Sequence, residues 1–247
     1  MMRLDKYLSE TEFVTLSQVK ALLKKGLVSV NGESEKRPER KVDERSDTVS
    51  CGGKEAVYRE FTYLMLYKPA GVLTARSDRQ ERTVFDLIPA ELRRDLSPVG
   101  RLDKDTEGLL LLTDDGALAH HLLSPRHHVK KVYFARVQGE LEEEAAESFQ
   151  RGLDIGDEHP TLPAKLVIRK SGAESEALVT LHEGRYHQVK RMFQAVGCEV
   201  IYLKRLSMGS LSLDGKLAPG EWRMLGEEEI TRLKKEEGSR NGAGDAN

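Results

Sequence analysis

The sequence predicts an α+β fold in two parts, a small helical module followed by a larger domain on a mixed, mostly antiparallel sheet. Three observations carry this. The apolar run Leu109-Leu110-Leu111-Leu112 follows directly on a charged loop closed by Gly100 and Gly108, and strands that apolar are buried on both faces. Short strand-like runs joined by hairpin-type turns recur through the rest of the chain, which favours antiparallel neighbours. The first 50 or so residues instead show helical spacing, then one alternating hairpin.

In the leading module, Leu4, Tyr7 and Leu8 give one helix an apolar face. Thr15 and Gln18 have capping-box spacing and open a second helix, with Val19, Leu22 and Leu23 inward and Gly26 as its stop. Ser17, Lys20, Lys24 and Lys25 lie outside, and Lys20 and Lys24, one turn apart, share a face. Val28 and Val30 alternate before Asn31-Gly32, a strong hairpin signal. A charged loop spans 33–41, a short strand 47–51, and Gly52-Gly53-Lys54-Glu55 reads as a flexible linker. The expected domains are 1–53, a linker at 54–60, a catalytic domain at 61–237 and a disordered tail at 238–247, where alanine is the only apolar residue type.

In the larger domain, strands are predicted over 61–67, 72–74, 109–112, 129–137, 164–170, 176–182, 200–206, 210–213 and 221–225. Helices are predicted over 84–88, 118–123, 141–150, 187–196 and 227–235. Lys68-Pro69-Ala70-Gly71, Asp114-Asp115-Gly116 and Asp214-Gly215 supply turns.

Charged residues make up 32% and hydrophobic ones 38% of 247 residues, the balance of a soluble globular chain rather than a membrane one. No run is apolar enough to cross a bilayer and the first residues hold no signal core, so a cytoplasmic location is expected. Cys51 and Cys198, without paired spacing, read as free thiols. A net charge of −2 gives no global sign of nucleic-acid binding, so any basic patch is local.

Four constellations bear on chemistry. His120, His121, His127 and His128 lack metal-binding spacing, and no metal is expected. Asp103 and Asp105 offer two acids, with no phosphate-binding glycine loop to make them a magnesium site; a turn-forming role is the plain alternative. Tyr133, in Lys131-Val132-Tyr133, either packs or presents a flat ring beneath a base. Glu183-Gly184-Arg185-Tyr186-His187-Gln188-Val189-Lys190-Arg191-Met192-Phe193 is a glycine turn entering a cationic helix. Lys190 or Arg191 near an ionised aspartate favours the charged carboxylate.

Two resemblances follow. The segments Arg3 to Leu8, Ser17 to Lys20 and Gly26 to Gly32 resemble the αL RNA-binding domain of a small-subunit ribosomal protein and of some tyrosyl-tRNA synthetases. That resemblance implies an RNA-facing set of Arg3, Lys6, Ser17, Lys20, Lys24 and Lys25, gripping backbone rather than reading bases. The rest of the chain, up to about Leu233, resembles the pseudouridine synthases of the ribosomal small-subunit branch, the RsuA type. The resemblance rests on Lys68 to Gly71, Gly100 to Asp103 with Thr106 and Gly108 to Leu110, Ser124 to His128, Lys131 to Tyr133 and Glu183 to Phe193, in that order. It implies the pseudouridine synthase fold and isomerisation of a uridine in ribosomal RNA, uridine 516 of the 16S chain, without cofactor or metal. It further implies Asp103 as catalytic carboxylate, Tyr133 stacking on the base and Lys190 as the paired cation, with Arg101, Arg185, His187, Gln188 and Arg191 around the substrate and Leu206 as an apolar wall. The implied partner is 16S rRNA, naked or in a partly assembled small subunit, met by a monomer away from membranes. The same chemistry on a large-subunit uridine, a non-catalytic RNA-binding or ribosome-assembly factor, and a magnesium phosphotransferase or nuclease are the alternatives.

Overall fold

The computed structural model describes the chain apart from residues 10, 12–15, 45, 57, 59, 94 and 242–247, and describes 16, 17 and 236–241 by backbone alone. Thr15, to which the sequence assigns a helix cap, and the Ser17 side chain lie outside that description. The chain divides into two units, Met1–Phe61 and Thr62–Asn247.

In the first unit, helices Leu4–Ser9 and Leu16–Lys24 precede a four-stranded sheet ordered Glu33–Ser34, Val28–Val30, Val49–Cys51, Lys54–Glu55. Leu4, Leu8, Val19, Leu23, Val28, Val30 and Val49 form its core. Asn31 and Gly32 both have positive φ, 53° and 84°, as a two-residue hairpin requires. The expected linker is corrected. Gly52 and Gly53 are a second such turn, φ 61° and 80°, and Lys54–Glu55 pairs back onto Ser50 and Cys51. Ala56 is buried in this core, where its carbonyl accepts from the Tyr7 hydroxyl at 2.9 Å. Two adjacent glycines close a hairpin as readily as they loosen a chain, and only the pairing partner decides which.

The second unit is built on a nine-stranded sheet. Its strands are β1 (Tyr63–Lys68), β2 (Ser97–Pro98), β3 (Glu107–Thr113), β4 (Lys131–Gln138), β5 (Lys165–Lys170), β6 (Glu174–Leu181), β7 (Glu199–Met208), β8 (Leu211–Ser212) and β9 (Trp222–Met224). Helices α1 (Gly116–Leu123), α2 (Glu143–Arg151), α3 (Gln188–Ala195) and α4 (Glu227–Asn241) complete it. The order is β5-β6-β4-β7-β3-β1-β9, with β8 on β7 and β2 on β3. Pairings are antiparallel except β7 with β3. Among the described residues no helix is long and apolar enough to cross a membrane.

Strands β1 and β3, paired side by side, are buried nearly throughout. Leu64, Leu66, Leu110 and Leu112 pack on Val84, Phe85 and Ile88. A second core joins Ala135, Val137, Ala177 and Val179 of β4 and β6 to Phe149 of α2 and to Met192 and Phe193 of α3. Asp115 caps α1, accepting from the Leu118 amide at 3.0 Å.

Two further expectations change. Residues 72–74 form no strand; Leu73 makes a single isolated bridge to Thr83, and Thr74 instead binds the loop described below. The final helix runs on to Asn241, through the start of the expected tail. One glycine at 238 costs a helix only ~1 kcal/mol, so composition alone does not stop it.

Candidate active site

The loop between Gly100 and Glu107 is fixed from both sides. The Thr74 hydroxyl donates to Leu102 O at 2.7 Å and accepts from Leu102 N at 3.2 Å. Gly71 N donates to Lys104 O at 2.7 Å. Lys68, fully buried at the end of β1, donates its Nζ to Pro69 O at 3.0 Å, Lys104 O at 3.2 Å and Thr106 O at 2.8 Å. Burial pulls the Lys68 ammonium down to about 8, although the charges of Asp105, Asp103 and Glu107 oppose that shift. Asp103 therefore sits between two pinned residues, Leu102 and Lys104. Gly108 admits the close approach of β7: a Cβ there would lie 2.2 Å from Arg205 O, and its φ is +107°.

The Asp103 carboxylate, about 29% exposed, faces two groups of the helix entrance. His187 Nε2 lies 3.4 Å from Oδ1 and Lys190 Nζ lies 3.3 Å from Oδ2. His187 precedes α3 in the left-handed region, φ 48°, which turns the chain into the helix beside the loop. Lys190 is nearer still to Asp105, 2.6 and 2.8 Å from its two oxygens. Burial works to lower the Lys190 ammonium, but the Asp105 hydrogen bond and the Asp103 and Asp105 charges outweigh it and hold the group above its usual value. Asp105 is lowered: burial opposes this, and the Lys190 bond and charge prevail.

Asp103 opens onto a cavity of about 130 Å³. Leu102, Leu123, Leu181, Val189 and Leu203 give it apolar walls, and Tyr133, 9% exposed on β4, lines it beside Lys131 and Arg205. Arg101 lines the mouth with its guanidinium unpartnered among the described residues.

Other sequence-derived candidates fall elsewhere. Leu206 does not line this cavity, so the apolar wall from β7 is Leu203. The cause is a bulge: Val132 faces Ser207 and Tyr133 faces Arg205, which leaves Leu206 as the extra residue. Arg191 does not line it either. Its guanidinium donates to Ile155 O and Tyr186 O and pairs with Asp157 at 2.5 Å. Arg185 lines the cavity, but its donors are taken by Glu183 Oε2 (3.0 Å), His159 O (2.6 Å) and Pro160 O (2.8 Å). Gln188 braces the same turn, donating to Glu183 Oε1 at 2.7 Å and accepting from Arg185 N at 2.9 Å. Lys190 and Arg191, adjacent in sequence, thus point to different tasks because consecutive helical residues face about 100° apart.

In the first unit, Lys6, Lys20, Lys24 and Lys25 are exposed, and Arg3 is held by Asp5 at 2.8 Å. That surface pair is worth little and gives way easily to a phosphate.

Sequence reasoning missed four side chains here. Lys68, Lys131 and Arg205 are cations that local pattern assigns to solvent, yet they are buried. The alternation along β4 puts Lys131 on Tyr133's face, and that is the available signal. Tyr186 carries no sequence signal beyond its place in a turn. It is 75% exposed and its ring stacks on His187 with centroids 3.8 Å apart.

Known proteins resemble this chain along most of its length. Residues 62–195 match the RNA pseudouridylate synthase family and residues 2–49 match the S4 domain. An uncharacterized RNA pseudouridine synthase of Bacillus subtilis is 47% identical over 94% of this chain and 98% of its own. The ribosomal small subunit pseudouridine synthase A of Vibrio cholerae is 41% identical over 95% of this chain and all of its own. A crystal structure of a pseudouridylate synthase, 36% identical, superimposes with a TM-score of 0.67 over 94% of this chain and all of that one.

Proposed function

The chain belongs to the RNA pseudouridine synthase family, in its RsuA-type branch, and on that premise we propose that it converts one uridine of 16S rRNA, uridine 516, to pseudouridine with Asp103 as the catalytic carboxylate. The observation that carries this reading is the setting of Asp103. One carboxylate, on a loop pinned at both neighbours, stands between His187 and Lys190 at the mouth of a cavity lined by an aromatic ring.

The reaction moves no group in or out. The C1′–N1 bond breaks, the uracil turns, and C5 bonds to C1′. A uridine within folded RNA must first leave its stack. Tyr133 offers the face against which the freed base lies, and Arg101 fills the gap or meets phosphate. Asp103 acts at C1′, and addition to the sugar and assisted elimination both need the same positioned carboxylate. Lys190 sets positive charge beside it, with no cofactor or metal called on. The exposed lysines of the first unit, with Ser17, add backbone affinity and register. The exposed, stacked Tyr186 supplies a platform for a neighbouring unstacked base. The 16S target is supported by the names of relatives about 40% identical over their full length. The enzyme acts as a cytoplasmic monomer on the naked RNA or on a partly assembled small ribosomal particle.

The test is Asp103→Asn. Tritium release from labelled rRNA is lost while RNA affinity stays unchanged; a turning-over variant defeats the assignment. Mapping pseudouridine in both rRNAs of a deletion strain checks the target, and a modification missing only from the large-subunit rRNA would overturn it.

A further inference from the structure

Two buried cations line the Asp103 cavity without an ion-pairing carboxylate among the described residues. Arg205 is 2% and Lys131 7% exposed. Arg205 Nε donates to Leu109 O at 2.8 Å, and its Nη2 has no partner among the described residues. Lys131 Nζ donates to Val129 O at 3.0 Å. Neither forms an ion pair among the described residues. Glu183, the acid that acts on Lys131 across space, is occupied by Arg185 and Gln188. Burial, then repulsion from Arg205, brings the Lys131 ammonium down to about 8. Thr106 Oγ1, also lining the cavity, is buried and unpartnered too.

A buried cation without a counter-charge is costly, and two side by side on one sheet face are more so. Strand register explains their placement. Tyr133 and Arg205 are direct partners across β4 and β7, and Lys131 stands two residues before Tyr133, so all three share a face. Tyr133, Lys131 and Arg205 all line the cavity, so a base seated there has both cations among its neighbours. Cations only donate hydrogen bonds, and uracil presents two carbonyl oxygens as acceptors.

We infer that Arg205 and Lys131 are catalytic residues that bind the uracil carbonyl oxygens and stabilise the charge that develops on the base when its glycosidic bond breaks. The inference rests on the reading of Asp103 given above. When C1′–N1 breaks, the electron pair stays with the uracil and spreads from N1 onto O2 and O4. Rejoining through C5 uses an electron pair of the ring, the C5 proton leaves to solvent, and N1 takes one up, so atoms and charge balance. Preorganised donors aimed at developing charge in a dry site act mainly on the transition state.

The experiment is single-turnover kinetics of the full chain on a 16S rRNA transcript carrying uridine or 5-fluorouridine at the target. The electron-withdrawing fluorine makes the departing base a more stable anion. Cleavage is read as loss of the original nucleoside after digestion and chromatography. Lys131→Met and Arg205→Gln each slow cleavage of the uridine substrate ~10²-fold with RNA Kd nearly unchanged. Lys131→Arg recovers most of the rate. The deficit shrinks markedly with 5-fluorouridine, a change that loosened packing would not produce. Equal deficits for the two bases, or a loss confined to Kd with a reduced salt dependence, overturn the inference; the second outcome would mark a phosphate contact. If Arg205→Gln fails to fold, Lys131→Met and Lys131→Arg decide alone. A wild-type chain inactive on every rRNA, or an active Asp103→Asn, defeats the parent reading instead, so the two failures are separable.

Discussion

Lys68→Met tests whether the Asp103 loop is held from beneath by one buried ammonium. Methionine keeps the unbranched volume and removes charge and donors. Three carbonyls now share the Lys68 Nζ at 2.8 to 3.2 Å. Lys104 O keeps the Gly71 amide at 2.7 Å, so the exposed cost falls on Pro69 O and Thr106 O. At ~1–3 kcal/mol for each buried acceptor left unpaired, and with the lysine's own desolvation relieved, the net loss of stability is ~2–4 kcal/mol. Asp103 lies between Lys104 and the Thr74-bound Leu102, so release of one side shifts its carboxylate. A displacement of about 1 Å costs ~10²-fold in turnover. Urea unfolding at constant m-value gives the first quantity and tritium release the second, with RNA affinity as the control. A stability loss under ~1 kcal/mol together with turnover within about threefold would show that Gly71 and Thr74 hold the loop unaided, and would refute the reasoning.

Three other expectations follow from the same geometry. Gly108→Ala costs at least ~3 kcal/mol in chemical unfolding, because its Cβ meets the Arg205 backbone and its φ is +107°; near-native stability would contradict the close β3–β7 approach. Lys190→Met lowers turnover ~10²-fold, whereas Arg191→Met, which releases the Asp157 segment, costs ~1–2 kcal/mol of stability and leaves turnover within about threefold; the reverse pattern would show that Arg191 serves Asp103. Lys131 has a folded-state value of about 8 against 10.5 unfolded. Below pH 8 both states hold the proton, and between 8 and 10.5 the unfolded state binds more, so its contribution to stability rises with pH. The gap in unfolding free energy between the protein and Lys131→Met therefore moves toward the wild type from pH 8 to 10, by up to ~1.4 kcal/mol per unit; a flat gap refutes it.

What the sequence determined by itself was everything that depends on local pattern. Apolar alternation along 129–137 and 176–182, the helical spacing of Val189, Met192, Phe193 and Val196, and the Asn31-Gly32 hairpin each follow from a few neighbouring residues, because strand and helix periods are properties of short segments. The motif order likewise identified Asp103, Tyr133 and Lys190 as candidates, and family membership follows from similarity along nearly the whole chain. The tertiary structure alone decided what depends on partners distant in sequence. Lys68, Lys131 and Arg205 look like surface charges until β1, β4 and β7 are placed in the sheet. Arg191 turns to Asp157 and Lys190 to the Asp103 loop only once α3 is docked. The bulge that sets Leu206 aside exists only in the pairing of β4 with β7. Local sequence encodes which groups a segment can offer, and long-range packing fixes which of them lose water, meet a counter-charge or reach the cavity.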